Sequence, residues 1–199
     1  MQIPFEYCAW KFFFQWENRE KNLHQELKSH SPSHKTLREA LSYFKVARGF
    51  PDLEKRVHEI ADDLIALSER RDLSSEERVD RLADAFRKKF KRRNVSAASK
   101  LLWLRGRTPF IIYDSRAANA LKLLGFQLET NDYHGYCVAW RKAFKSNKTA
   151  IAAISAYPIE MRCLLPAGQA EYKLLVSYLG KPWFRERVFD IYLWELGGV

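Results

Sequence analysis

The chain has 199 residues, 47% hydrophobic and 14% aromatic, with only 8 Gly and 7 Pro, which favours a compact globular fold over disorder and supplies enough apolar material for a sizeable core. No apolar run reaches the length needed to span a bilayer, so a membrane partner is not expected. The formal net charge of +10 points to a polyanionic partner, because concentrated positive charge attracts phosphate and releases counterions.

In chain order the pattern is helical. Met1 to Trp16 holds Glu6 and Lys11 among its aromatics and has no small-residue cleavage site. It reads as the first helix rather than a signal peptide, with Pro4 to about Lys21 helical and Tyr7, Trp10, Phe13, Phe14 and Trp16 as core. His24 to Ser33 is polar, includes Pro32 and reads as a loop. A helix follows from about Lys35 to Arg48 with Leu37 and Leu41 inward; Gly49 ends it and Pro51 starts the next. Asp52 to Arg70 places Val57, Ile60 and Leu64 on one face and charges on the other, the pattern of an amphipathic core helix.

Ser74 with Glu77 forms a capping box for a helix running to about Arg93, with Leu82, Phe86 and Phe90 on its apolar stripe. Ser96 or Asn94 can cap a short helix from Ala97 to about Arg105. Gly106 to Thr108 is a turn before Pro109, and Phe110 to Tyr113 is extended and apolar. Asp114 then caps a helix that stops at Gly125. The remainder reads as helices over Tyr133 to Lys145, Thr149 to Ala156, Gln169 to Leu179 and Trp183 to Leu196, the last opened by Pro182. The expected fold is all-α: a single helical domain over 1–199, with N-terminal helices over 1–93, a hairpin and loop over 94–125, and C-terminal helices over 126–199.

The charge is concentrated. Between Arg81 and Arg107 the basic residues are Arg81, Arg87, Lys88, Lys89, Lys91, Arg92, Arg93, Lys100, Arg105 and Arg107, against one acid, Asp84. A solvated helix face usually mixes signs. This stretch does not, and it is the expected nucleic-acid-binding segment. Cys8, Cys137 and Cys163 are odd in number and widely spaced, without a metal-ligand or disulfide pattern, which fits a reducing, cytoplasmic setting. No nucleotide-binding glycine loop and no Ser/His/Asp arrangement is present, so neither metal nor cofactor is expected.

The segment from Asn94 to Ala117 brings these features together. Small residues at Ser96 to Ser99 let the backbone approach a phosphate, and the amides of a helix start can hold it. The extended piece delivers Asp114 to one defined point, where the helix dipole favours a negative charge. Breaking an N-glycosidic bond creates an oxocarbenium-like sugar. A fixed carboxylate can stabilise that cation and orient or deprotonate a water. Taken alone, Asp114 is equally an ordinary N-cap.

This pattern resembles the helix-hairpin-helix DNA glycosylase superfamily, whose hairpin is followed by a Gly/Pro-rich loop and an essential aspartate. Ser99-Lys100-Leu101-Leu102-Trp103, Tyr113-Asp114-Ser115-Arg116 and the ending Arg187 to Gly197 look like a bacterial branch with the 8-oxoguanine DNA glycosylase fold. Some members of that broad group sit in phage-defence settings and attack modified bases. The resemblance implies base flipping on double-stranded DNA and base excision, with Asp114 catalytic and Lys100 a secondary candidate. From the charge and the small residues, DNA contacts are expected from Arg92, Arg93, Ser96, Ser99, Lys100, Arg105 and Arg107, and Arg116, one turn past the helix start, can reach DNA or pair with an acid. Trp103, Tyr113, Tyr136, Trp140 and Trp194 are candidate walls for the flipped base. Two departures qualify the match. Ser96-Ala97-Ala98 replaces the usual Gly-x-Gly, and the nucleophilic lysine of bifunctional members would fall near Ala97 or Ala98. The expectation is therefore a monofunctional hydrolase without a lyase step. The alternative is a non-catalytic nucleic-acid-binding subunit of a defence or repair complex.

Overall fold

The structure, a computed structural model, describes residues 3–50, 53–130, 132–154 and 169–198. The described residues are mostly helical, with no strand among them, so the fold is all-α. The helices are α1 (Phe5–Gln15), α2 (Lys21–Leu27), α3 (His34–Tyr43), α4 (Leu53–Glu69), α5 (Ser75–Phe90), α6 (Val95–Gly106), α7 (Ser115–Leu123), α8 (Tyr133–Ala152), α9 (Gln169–Leu179) and α10 (Pro182–Leu196). A π-helical turn, Trp16–Glu20, joins α1 to α2, and a 3-10 turn, Ala47–Gly49, follows α3.

The chain forms two compact units. Unit 1 comprises Met1–Trp16, Asp114–Thr130 and Val138–Val199; unit 2 comprises Glu17–Tyr113 and Asn131–Cys137. In unit 1, α10 packs on α7, α1 and α9. Its core is aromatic. Phe12 and Phe184 lie 4.8 Å apart between centroids, and Trp140 stacks on Phe144 at 5.0 Å and meets Phe189 edge-on at 5.3 Å. Trp10, Phe13 and Trp16 are buried as expected and Phe14 is half-buried, whereas Tyr7, expected in the core, is exposed.

Unit 2 packs α6 against α5, α2 and α4, with α3 against α4. Leu37, Leu41, Ile60, Leu64, Leu82, Phe86 and Leu101 form its core, and Phe50 meets Phe86 and Phe90 edge-on at 5.0 and 5.1 Å. The capping box forms in both directions: Ser74 Oγ accepts from the Glu77 amide, and Glu77 accepts from the Ser74 amide.

Three segments differ from the sequence reading. The helix expected to run to about Arg48 ends at Tyr43, and Lys45 just beyond it takes a left-handed φ of 55°. The stretch from His24 begins as helix: α2 continues to Leu27, and His24 is buried with its Nδ1 2.5 Å from the Leu104 carbonyl oxygen. That contact ties α2 to α6, and such a tertiary partner is invisible locally. The two short helices expected over Tyr133 to Lys145 and Thr149 to Ala156 are one continuous helix, α8, ending at Ala152. Pro51, Asp52, Cys163 and the end of the expected helix at Ala156 lie outside the described residues.

Candidate nucleic-acid interface and the Asp114 turn

Within unit 2, the chain leaves α6 through a turn in which Arg107 has φ 58° and the Thr108–Pro109 bond is cis. The segment from Phe110 to Tyr113 then runs extended and is held at three successive residues. The Tyr133 hydroxyl donates to the Ile111 carbonyl at 2.6 Å, and the Tyr136 hydroxyl donates to the Ile112 carbonyl at 2.9 Å. The Tyr113 amide donates to Ser99 Oγ at 2.9 Å. An extended segment without a sheet partner must satisfy its backbone groups elsewhere, and buried hydroxyls do so here. Burial also pushes the Tyr133 hydroxyl well above the usual phenol range, so it stays a neutral donor.

The chain passes into unit 1 at Asp114. This residue is the N-cap of α7, its Oδ1 accepting from the Arg116 amide at 3.0 Å. It is half-buried, and Ser115 and Arg116 beyond it are exposed. The Arg116 guanidinium lies 4.5 Å from the ring centroid of Trp194, a cation–π stack. Trp194 is itself 36% exposed. The end of α10 closes on this turn so tightly that a Cβ on Gly197 would overlap the Arg116 carbonyl oxygen.

Deeper in unit 1, Asp190 is buried and accepts from Trp140 Nε1 at 2.7 Å, with Arg187 Nη1 4.0 Å away. Burial pushes its carboxyl up to about 7. Arg187 and the Trp140 hydrogen bond pull against that, while the charges of Glu186 and Asp114 add to it.

The basic stretch resolves into two populations. Arg105 is buried: its guanidinium donates to the Leu27 carbonyl, to the Ser29 carbonyl at 2.8 Å and to Ser68 Oγ at 2.7 Å. It staples α6 to the end of α2 and to α4, which corrects its expected place among the DNA contacts. Arg93 pairs with Asp80 and, at 3.1 Å, with Asp84; Lys89 pairs with Asp63 at 2.6 Å. Arg56 also reaches the Lys89 carbonyl. Acids distant in sequence therefore neutralise part of the stretch.

The second population faces solvent. Lys88, Lys91 and Arg92 are exposed at the end of α5, and among the described residues no carboxylate lies within ion-pair distance of them. Arg81 and Arg87 are also exposed, Arg87 lying 3.5 Å from Asp84, and Arg107 is half-buried.

Lys100 is buried, 6% exposed, with its ammonium 2.9 Å from Ser96 Oγ and 5.7 Å from the Phe44 ring centroid. Ser99 is fully buried and holds the extended segment. Neither presents a side chain to solvent, a second correction to the expected DNA contacts. Ser96 is half-buried.

Of the candidate base-pocket walls, Trp103, Tyr136 and Trp140 are core residues, exposed by 1%, 0% and 3%. Tyr136 and Trp140 spend their polar atoms on Ile112 and Asp190. Tyr113 is half-buried and meets Tyr136 edge-on at 5.0 Å, which leaves Trp194 as the exposed aromatic of the set. No group of three or more metal-ligating side chains occurs among the described residues, and no helix there is long and apolar enough to cross a membrane. No family model, no curated protein and no solved structure matches the chain.

Proposed function

We propose that the chain is a monofunctional DNA glycosylase that flips a modified or damaged base out of duplex DNA and hydrolyses its N-glycosidic bond, leaving an abasic site. The observation that carries this reading is the delivery of Asp114. An acid stands at the end of an extended segment whose three preceding residues are each fixed by a hydrogen bond with a buried side-chain hydroxyl. A carboxylate fixed in this way stabilises developing charge without reorganising as the reaction proceeds. The leaving base takes the bonding electrons, positive charge develops on the sugar, and the Asp114 carboxylate faces that charge and orients the attacking water. The exposed cations Lys88, Lys91 and Arg92 supply sequence-independent attraction to the backbone. Removing a normal base would be toxic, so a modified base, such as those of phage DNA, is the favoured substrate. Lys100 serves the packing of the α6 start, so no borohydride-trapped protein–DNA adduct is expected.

Incubation of wild type and Asp114→Asn with duplexes carrying modified and damaged bases, followed by counting of aldehyde-reactive sites, tests the proposal. Sites formed by wild type and lost in the variant support it.

A second reading has its own observation. Asp114 caps α7, a complete structural role. A non-catalytic nucleic-acid-binding subunit follows if salt-sensitive binding persists and no DNA yields abasic sites.

A further inference from the structure

Unit 1 carries a basic face of its own. The helix α8 spans 20 residues without one Asp or Glu, and Arg141, Lys142, Lys145 and Lys148 are all exposed along it. Arg141, Lys145 and Lys148 follow at i, i+4 and i+7, one row on the helix surface. Thr149, also exposed, lies beside the row. Next to it, Lys142 pairs with Glu129 at 2.7 Å, and both partners of that pair are well exposed.

Like charges at i,i+4 destabilise a helix, and other helices of this chain set an acid one turn from a cation. Lys21 pairs with Glu17, Lys35 with Glu39, Arg56 with Glu59 and Arg87 with Asp84. The α8 sequence itself offers no acid one turn from these cations, and Thr149 adds a hydroxyl; Lys, Arg and hydroxyl side chains are those that contact phosphate oxygens. The opposite face is already occupied: Ala139, Trp140, Ala143 and Ile151 are buried. No apolar face therefore remains on α8 for insertion into a membrane surface. The row from Arg141 to Lys148 rises roughly 10 Å along the helix, about three phosphate steps of one DNA strand.

We propose that the outer face of α8 is a second phosphate-contacting surface, through which unit 1 holds duplex DNA in its own right. This rests on the reading of the chain as a DNA-binding protein and not on the catalytic role of Asp114.

The test is fluorescence anisotropy of a labelled duplex over a salt series, with wild type, Lys145→Gln/Lys148→Gln and the rescue variant Lys145→Arg/Lys148→Arg. The slope of log K against log salt counts neutralised phosphates at about 0.9 each on B-DNA. The glutamine variant is expected to reduce the magnitude of that slope by about 1.8, two phosphates' worth, and to bind more weakly at low salt. The arginine variant should match wild type. Both changes are at exposed positions, and an unchanged circular dichroism melt shows that the fold is kept. A glutamine variant with wild-type slope and affinity overturns the proposal, as does a wild type that binds no duplex at low salt. Weakened binding to polyglutamate with duplex binding unaltered overturns it in favour of an acidic protein partner. A shallower duplex slope without abasic sites on any DNA leaves this surface standing and removes the glycosylase reading.

Discussion

The hydroxyl of Tyr136, fully buried, donates to the Ile112 carbonyl oxygen two residues before Asp114. Ile112 has no sheet partner, so this bond is what satisfies a carbonyl in a buried stretch. Tyr136→Phe keeps the ring against Tyr113 and deletes only the donor. The expected cost is about 1–3 kcal/mol, that of an unsatisfied buried carbonyl, read as a lower urea midpoint at unchanged m-value. If Asp114 needs a fixed segment, kcat for base excision falls in this variant more than KM changes. A normal kcat in a measurably destabilised variant would separate the clamp from the chemistry.

Asp114 itself offers a clean separation of roles. Asn is as good an N-cap as Asp, and Ala is not. Asp114→Asn should therefore retain wild-type stability, whereas Asp114→Ala is destabilised by about 1 kcal/mol. Both should abolish base excision. A variant series in which activity tracks stability, with Asn active and Ala inactive, would assign Asp114 to capping alone.

Much of the fold is legible in the sequence because its signals are local. The Ser74–Glu77 box, the Asp114 cap and Pro182 at the start of α10 each act within one turn of helix, so the residues that decide them are neighbours in sequence. The α8 sequence reads as two helices because Ser146 and Asn147 commonly compete with helical backbone. Here they bond back into the helix instead: Ser146 Oγ donates to the Lys142 carbonyl at 3.1 Å and Asn147 Nδ2 to the Ala143 carbonyl at 2.8 Å. Splitting the helix also cuts its basic row, which emerges only from helical spacing over the whole length. The burial of Arg105, Lys100 and Tyr136 is illegible for another reason: their partners lie in other turns and segments, and charge or aromaticity alone does not distinguish a staple from a ligand contact.

Gly197 and Gly198 should differ sharply despite being adjacent. A Cβ at 197 overlaps the Arg116 backbone, falling 2.6 Å from its carbonyl carbon and closer still to the oxygen. One at 198 meets the tip of the Arg116 side chain, which can swing aside, at 2.9 Å. Gly197→Ala is expected to cost about 1–3 kcal/mol, the range for overpacking, and to displace the α7 start that Asp114 caps. Gly198→Ala should stay within about 0.5 kcal/mol of wild type. Thermal melts of the two variants decide this, and equal melting temperatures would mean that the α10 end does not bear on α7.

Asp190 predicts a pH dependence of definite sign. Its carboxyl, 3.8 when unfolded, is pushed up to about 7 in the fold by burial. Between those values the folded state holds the proton and the unfolded state does not. Stability should therefore fall as pH rises from about 4 to about 7, by at most about 1.4 kcal/mol per pH unit from this one group. Asp190→Asn keeps an acceptor for Trp140 Nε1 and removes the titration, so urea midpoints between these pH values should no longer show that slope. Asp114→Asn removes a nearby negative charge and should move the Asp190 titration downward, as followed by carboxyl NMR. Parallel pH profiles for wild type and Asp190→Asn would place the charge of Asp190 outside the stability balance.

The two populations of the basic stretch should respond oppositely to substitution. Arg105 is a buried staple, and Arg105→Ala strands the Leu27 and Ser29 carbonyls it holds. The variant should be destabilised by roughly 3 kcal/mol, with the salt slope of DNA binding unchanged at temperatures where it is folded. Lys88, Lys91 and Arg92 are solvated and hold no structure together, so their replacement by Gln should leave the melt within about 1 °C of wild type. For each phosphate that is no longer neutralised, the slope of log K against log salt should become shallower by about 0.9. A crossed result, with Arg105→Ala changing the salt dependence and the α5 cations silent, would mean that the DNA-facing surface of unit 2 lies away from the end of α5.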